Sequence, residues 1–279
     1  MDQSAIHAIS QLSVDAAKAN LLETDTPAIV LSAANGTQTL ASIEYLQPGR
    51  SRFRGAYETN GLLAFAEHVL AQAAASGASQ AQTFIDPNAV SAKTYFNLGD
   101  HEHPGHGDHT ATLNLMPTAA YAALLAIAGR PLSQAWLHDF VEDWRDIIVP
   151  VYGATADSSR ISSALAAIRN ITIETARKVN LAEGDFSQSR SAMESIDARS
   201  DHELPSRFVL TTVPYEGLPS RAFHLRLSVM TGGAGEKLSL VLRIQQAEQV
   251  SEDIANDFRQ QLIDRIGDAS VLFIGTFNP

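Results

Sequence analysis

The chain has 279 residues, 45% hydrophobic and 18% charged, a globular composition far from the disordered class and large enough to bury a full core as one domain or two. It has no cysteine, which excludes a disulfide framework, a thiol nucleophile and a zinc ribbon. Lys and Arg number 20 against 31 Asp and Glu, and the formal charge of −11 sets up a field that repels duplex DNA at long range.

Residues 3–22 space Ile6, Ile9, Leu12 (or Ser13), Ala16 and Ala17 at helical intervals. Short strands are predicted at Ala28–Leu31 and Thr39–Leu46 around the hairpin signal Asn35-Gly36. A helix follows over residues 60–76, with Leu62, Phe65 and Val69 on one face and Gly77 placed to end it. Strands are predicted at 82–85, 92–98 and 110–115, then helices at 118–128 and 133–148. In the second of these, Trp136, Phe140, Trp144 and Ile148 recur every four residues and are read as a core face, with Asp139, Glu142, Asp143 and Asp146 on the wet side.

Residues 150–159 read as a linker. Beyond it come a helix over 157–170 and strands near 176–182 and 192–198. Three stronger strands follow at 207–213, 222–230 and 237–245. Phe223, Leu225, Leu227 and Val229 alternate with His224, Arg226 and Ser228, and Leu238, Leu240, Leu242 and Ile244 repeat the pattern, as an antiparallel meander with one wet face requires. A last helix carries Val250, Ile254, Phe258, Leu262 and Ile266, with Ser251 as its expected cap. The fold class is α+β: an N-terminal mixed region (1–150) packed with a C-terminal antiparallel meander and terminal helix (151–279), as two domains or one continuous domain. No apolar run approaches the roughly 20 residues of a membrane span. The first residues also lack the basic flank and apolar block of a secretion signal. A cytoplasmic protein with no membrane partner is expected.

Two constellations could carry chemistry. In residues 100–109, DHEHPGHGDH, four of the nine histidines fall together. Neutral imidazoles and carboxylates suit a transition metal, which makes His101, His103, Asp108 and His109 a candidate ligand set for a metal-dependent hydrolase. The competing reading is a solvated hairpin in which Asp, Gly and His satisfy turn hydrogen bonds, and on that reading no cofactor is expected. The second constellation is Arg50, Arg52 and Arg54, alternating in an otherwise acidic half. In an extended segment they point the same way, with Phe53 opposite, and guanidinium forks match phosphate or carboxylate oxygens. They form a candidate anion-binding strip, or they pair with acidic surface within or between subunits. The run Gly232–Lys237 looks like a phosphate loop but lacks the Lys-Ser/Thr end and joins two strands, so it reads as a hairpin turn.

Gln47-Pro48-Gly49-Arg50 through Arg54-Gly55, Asn60-Gly61 to Phe65, Gly99-Asp100-His101 with Asp108-His109, Trp136 to Asp143, and Thr212 to Gly217 together resemble the YfdQ family of uncharacterised phage and prophage proteins. The resemblance covers most of residues 40–279 and implies an early, non-virion phage gene product in the host cytoplasm. It implies no activity. The expectation is a non-enzymatic, self-assembling protein that binds a host factor or a small anionic, nucleotide-like ligand, in host takeover or defence evasion. Two alternatives are the metal-dependent hydrolase and an accessory of phage DNA replication or recombination. The acidic charge disfavours duplex DNA as a partner.

Overall fold

A computed structural model describes residues 3–17, 20–22, 26–32, 38–75, 80–171, 203–231 and 238–279. They fall into two units, Met1–Gly55 and Ala56–Pro279. The predicted Asn35-Gly36 turn, the strands at 176–182 and 192–198 and the Gly232–Lys237 turn lie outside the described residues. The architecture is α+β, as the alternation of helical and strand periods predicts.

In the first unit, helix α1 (Gln3–Ala17) precedes an antiparallel sheet of β1 (Asn20–Leu22), β2 (Ala28–Ser32) and β3 (Gln38–Ser42). Ile6, Ile9 and Leu12 of α1 are exposed. After β3 comes a single 3₁₀ turn, Glu44–Leu46, and then a run of bends through residue 52.

The second unit holds two sheets. One has five strands in the order β14-β5-β6-β7-β4, formed by β4 (Gly55–Thr59), β5 (Ala81–Asp86), β6 (Ser91–Tyr95), β7 (His109–Asn114) and β14 (Ser270–Ile274). The other is antiparallel throughout, in the order β10-β9-β11-β12-β13-β8. Its strands are β8 (Pro131–Leu132), β9 (Ile148–Tyr152), β10 (Thr155–Ala156), β11 (Arg207–Thr212), β12 (Arg221–Thr231) and β13 (Leu238–Ile244). In β12 the residues Phe223, Leu225, Leu227 and Val229 are buried while His224 and Arg226 are exposed, as their alternation predicts. Residues 150–159, read as a linker, carry the end of β9, the tight β9–β10 hairpin and a 3₁₀ turn. The six-stranded sheet therefore draws strands from both sides of Pro150.

One hydrophobic core runs through this unit. Helix α2 (Leu62–Ala75) contributes Leu62, Phe65, Ala66 and Val69, and α6 (Ala247–Ile266) contributes Ile254, Phe258, Leu262 and Ile266. Helices α3 (Ala119–Ile127), α4 (Gln134–Asp143) and α5 (Ile161–Asn170) add Leu124, Leu137, Phe140 and Ile168. Three local expectations change. Ser251 lies inside α6, where its hydroxyl donates to the Ala247 carbonyl, and the helix starts four residues earlier, after Gln246 in a left-handed conformation. Trp136 is 62% exposed, because a four-residue repeat advances about 40° per step around a helix. The face that stays buried is Leu137, Phe140 and Val141, at i, i+3 and i+4. Helix α4 also stops at Asp143, and Ile148 opens β9 instead of continuing the helix.

Strand β14 has no counterpart among the predicted elements. It returns from the C-terminal end to pair in parallel with β5, Ser270 opposite Ala81 and Ile274 opposite Ile85. The tail after it stays on the sheet. The Gly275 amide donates to the Ile85 carbonyl, Phe277 stacks on Phe84 at 4.9 Å, and the Tyr95 hydroxyl donates to the Phe277 carbonyl at 2.8 Å.

Candidate functional site

The arginine segment is organised around Glu44, a buried carboxylate at the start of the 3₁₀ turn. Its Oε1 accepts from the Ser51 amide at 2.9 Å, the Ser51 hydroxyl at 2.8 Å and Arg54 Nη1 at 3.0 Å, while Arg54 Nη2 donates to Oε2. Donors so arranged favour the ionised form. The Arg54 bond comes first, then the two from Ser51, and together they hold the Glu44 pKa down at about 2. Arg50 Nη1 donates to the Arg54 carbonyl at 3.1 Å, closing a second link across the same loop.

This geometry corrects the extended strip expected for Arg50, Arg52 and Arg54. Residues 51 and 52 are bends, so period-two alternation does not apply. Arg54 is committed to Glu44 and Arg52 is half-buried. Arg50 remains exposed; its hydrogen bond goes to the neutral Arg54 carbonyl oxygen, and among the described residues no carboxylate pairs with its charge. Around it the loop presents Tyr45, Leu46 and Phe53, exposed by 81%, 70% and 71%. Sequence reasoning missed Glu44 and the tips Tyr45 and Leu46, and named Phe53 only as the residue opposite the arginines. The available signal was a lone carboxylate just before a Pro-Gly turn that leads into an arginine run.

The histidine-rich segment is a hairpin between β6 and β7. Asp100 Oδ1 accepts from the amides of Glu102 and His103 at 2.9 and 2.6 Å, and Gly99 and Pro104 form a bridge. Backbone bonds run from Gly105 to the Leu98 carbonyl and from Gly107 to the Asn97 carbonyl. Gly99 has φ +73°, and a Cβ there would run into the His103 carbonyl oxygen, so only glycine closes this turn. Asn97 then ties the base together. Its amide nitrogen donates to Asp108 Oδ1 at 2.9 Å, and its oxygen accepts from the His109 amide at 3.0 Å.

The candidate ligands are not brought together. His101 and His103 are exposed and Asp108 is bonded to Asn97. His109 is buried against the Phe96 ring at 4.5 Å. Among the described residues no three His, Asp or Glu side chains are placed to hold a metal ion. The physical reason is the hairpin's two-sidedness: its tip residues point to solvent while residue 109, already in β7, points into the sheet. His109 belongs instead to a ring series in which Tyr57 stacks on His68 at 4.2 Å and His68 meets Phe96 edge-on at 5.9 Å. Burial pushes the His109 and His68 pKa values down. For His109 the nearby His68 adds to this and Asp108 opposes it.

Beside β14 lies an open groove of about 520 Å³ lined mainly by Ile85, Ile263, Gly267 and residues 271–274, with Gln80, Arg259 and Ser270 as its polar residues. No helix among the described residues is long and apolar enough to cross a membrane.

These features define an α+β protein whose surface carries a clamped, aromatic-tipped turn and a self-satisfied histidine hairpin. The chain belongs to the family described as Uncharacterized conserved protein (DUF2303), whose model matches residues 2–277. No curated protein and no solved structure matches it.

Proposed function

We propose that this is a non-enzymatic, YfdQ-like phage or prophage early protein of the host cytoplasm. It assembles with itself and uses the 44–54 turn to recognise a host factor or a small anionic ligand. The observation that supports this is the Glu44 clamp. Four hydrogen bonds onto one buried carboxylate hold a short loop in shape while Tyr45, Leu46, Phe53 and Arg50 stay exposed on it. Aromatic side chains and arginine dominate binding hot spots, and a loop ordered in advance loses little entropy when it binds. The hydrolase alternative lacks such support, because the candidate ligands do not converge. The replication-accessory alternative meets a net charge of −11.

The test screens wild type and Arg50→Ala against nucleotides, single-stranded and duplex nucleic acid at two salt concentrations, with native mass spectrometry for retained ligands. Binding of an anionic ligand that weakens at least about tenfold in Arg50→Ala and with added salt supports the reading. Tight duplex binding that persists in Arg50→Ala overturns it.

A further inference from the structure

We infer that the 44–54 turn of one copy docks on the exposed face of α4 of a second copy, so that the protein assembles head to tail. This rests on the reading of the turn as a recognition element and names its partner. The face in question carries Trp136, Asp139, Glu142 and Asp143, all exposed, with Asp146 exposed in the turn that follows. Ser133 caps α4 by accepting from the Trp136 amide at 3.2 Å, which fixes the indole in the first helical turn. Asp139 lies 3.3 Å from His138 Nδ1, and Glu142 pairs with Arg145 at 3.2 Å. Even so, four carboxylates stand against one arginine between residues 136 and 146.

The two surfaces complement each other in charge and in kind. Residues 44–54 carry three arginines and one glutamate in a unit whose other charged side chains are mostly acidic, and α4 offers the inverse excess. Each adds exposed aromatic surface: Tyr45 and Phe53 on the turn, Trp136 on the helix. Exposed rim ion pairs each contribute little, so the charges set orientation and encounter rate while aromatic burial supplies most of the affinity. Because the patches differ, the contact is heterologous. Repeated, it closes into a ring or grows as a filament.

Head-to-tail geometry gives a specific test on the full chain. Arg50→Glu/Phe53→Ser disables the turn and leaves α4 intact; Trp136→Ser/Asp143→Arg does the reverse. By light scattering at micromolar concentration, wild type should be oligomeric and each variant monomeric at 30.0 kDa, with circular dichroism confirming that both fold. Mixed in equal amounts, the two variants should form pairs that grow no further, since one intact turn meets one intact α4. The Trp136 emission of the turn variant should shift to the blue on mixing. A monomeric wild type, a variant that keeps the wild-type mass, or a mixture that stays monomeric overturns the inference. If the turn variant loses an anionic ligand or host protein while its mass is unchanged, the inference fails and the recognition reading stands.

Discussion

Thr83, Thr94 and Ser270 are buried polar residues on three neighbouring strands, and their hydroxyls form one chain. Thr83 Oγ1 lies 2.7 Å from both Thr94 Oγ1 and Ser270 Oγ, and Ser270 Oγ lies 3.0 Å from the Ala81 carbonyl oxygen. A carbonyl only accepts, so Ser270 donates to it. Thr83 then donates to Ser270, and Thr94 to Thr83, which uses all three protons in one direction. Thr83→Val removes the middle link and strands the Thr94 proton in the core, at an expected cost of about 1–3 kcal/mol. Thr94→Val leaves only a lone pair on Thr83 without its donor and should cost about 0.5–1.5 kcal/mol. In the double variant no buried donor is orphaned, so it should be more stable than Thr83→Val alone. Urea unfolding midpoints at unchanged slope measure the series. A double variant less stable than Thr83→Val, or a Thr94→Val costlier than Thr83→Val, refutes the assigned direction of the chain.

In the monomeric Arg50→Glu/Phe53→Ser background, where α4 is uncovered, Trp136→Ala should change stability by no more than about 0.5 kcal/mol, as at most surface sites. Its neighbour Leu137→Ala should cost about 2–5 kcal/mol by opening the core, and urea unfolding separates the two. Glu44 has a folded pKa of about 2 against an ordinary 4.5, so it stabilises the fold above pH 4.5 and loses that contribution as pH falls through about 2. A Glu44→Gln variant should therefore show a stability deficit at neutral pH that closes across that window. His109 sits below its ordinary 6.5 because burial favours the neutral ring. Its contribution is complete above that pH and declines on acidification, and His109→Gln should flatten the stability–pH slope below it. Purified protein should carry substoichiometric zinc, nickel and iron by mass spectrometry, and chelator should leave its melting temperature unchanged. One metal per chain lost in His101→Ala/His109→Ala reverses that expectation.

What was legible in the sequence is what local periodicity controls. Strands β11 and β12 announce themselves by alternation, β13 by leucines at every second position although Val241 on its other face is buried too, and α2 and α6 because their apolar residues return every three or four positions. Strand β14 was illegible for the opposite reason. Residues 270–274, Ser-Val-Leu-Phe-Ile, form a short apolar run with no alternation, and the strand they pair with lies 189 residues away. A parallel partner at that distance leaves no turn signal nearby. The histidines show the same limit in the site. Their density is visible in the sequence, but whether four imidazoles converge depends on which side of a hairpin each one leaves, and the bonds of Asp100 and Asn97 decide that.

The arginine turn carries the point into function. Alternation suggested three equivalent cations, yet one carboxylate seven to ten residues upstream sorts them. Arg54 becomes a structural partner, and Arg50 stays exposed on a turn that also exposes Tyr45 and Phe53. Identical residue types thus acquire different roles through a bond that spans a bend, which no pattern of fixed period encodes. The clamp and the recognition tip are therefore separable. Loosening Glu44 should disorder the loop, whereas changing Arg50 should leave the fold intact and alter only what the turn binds.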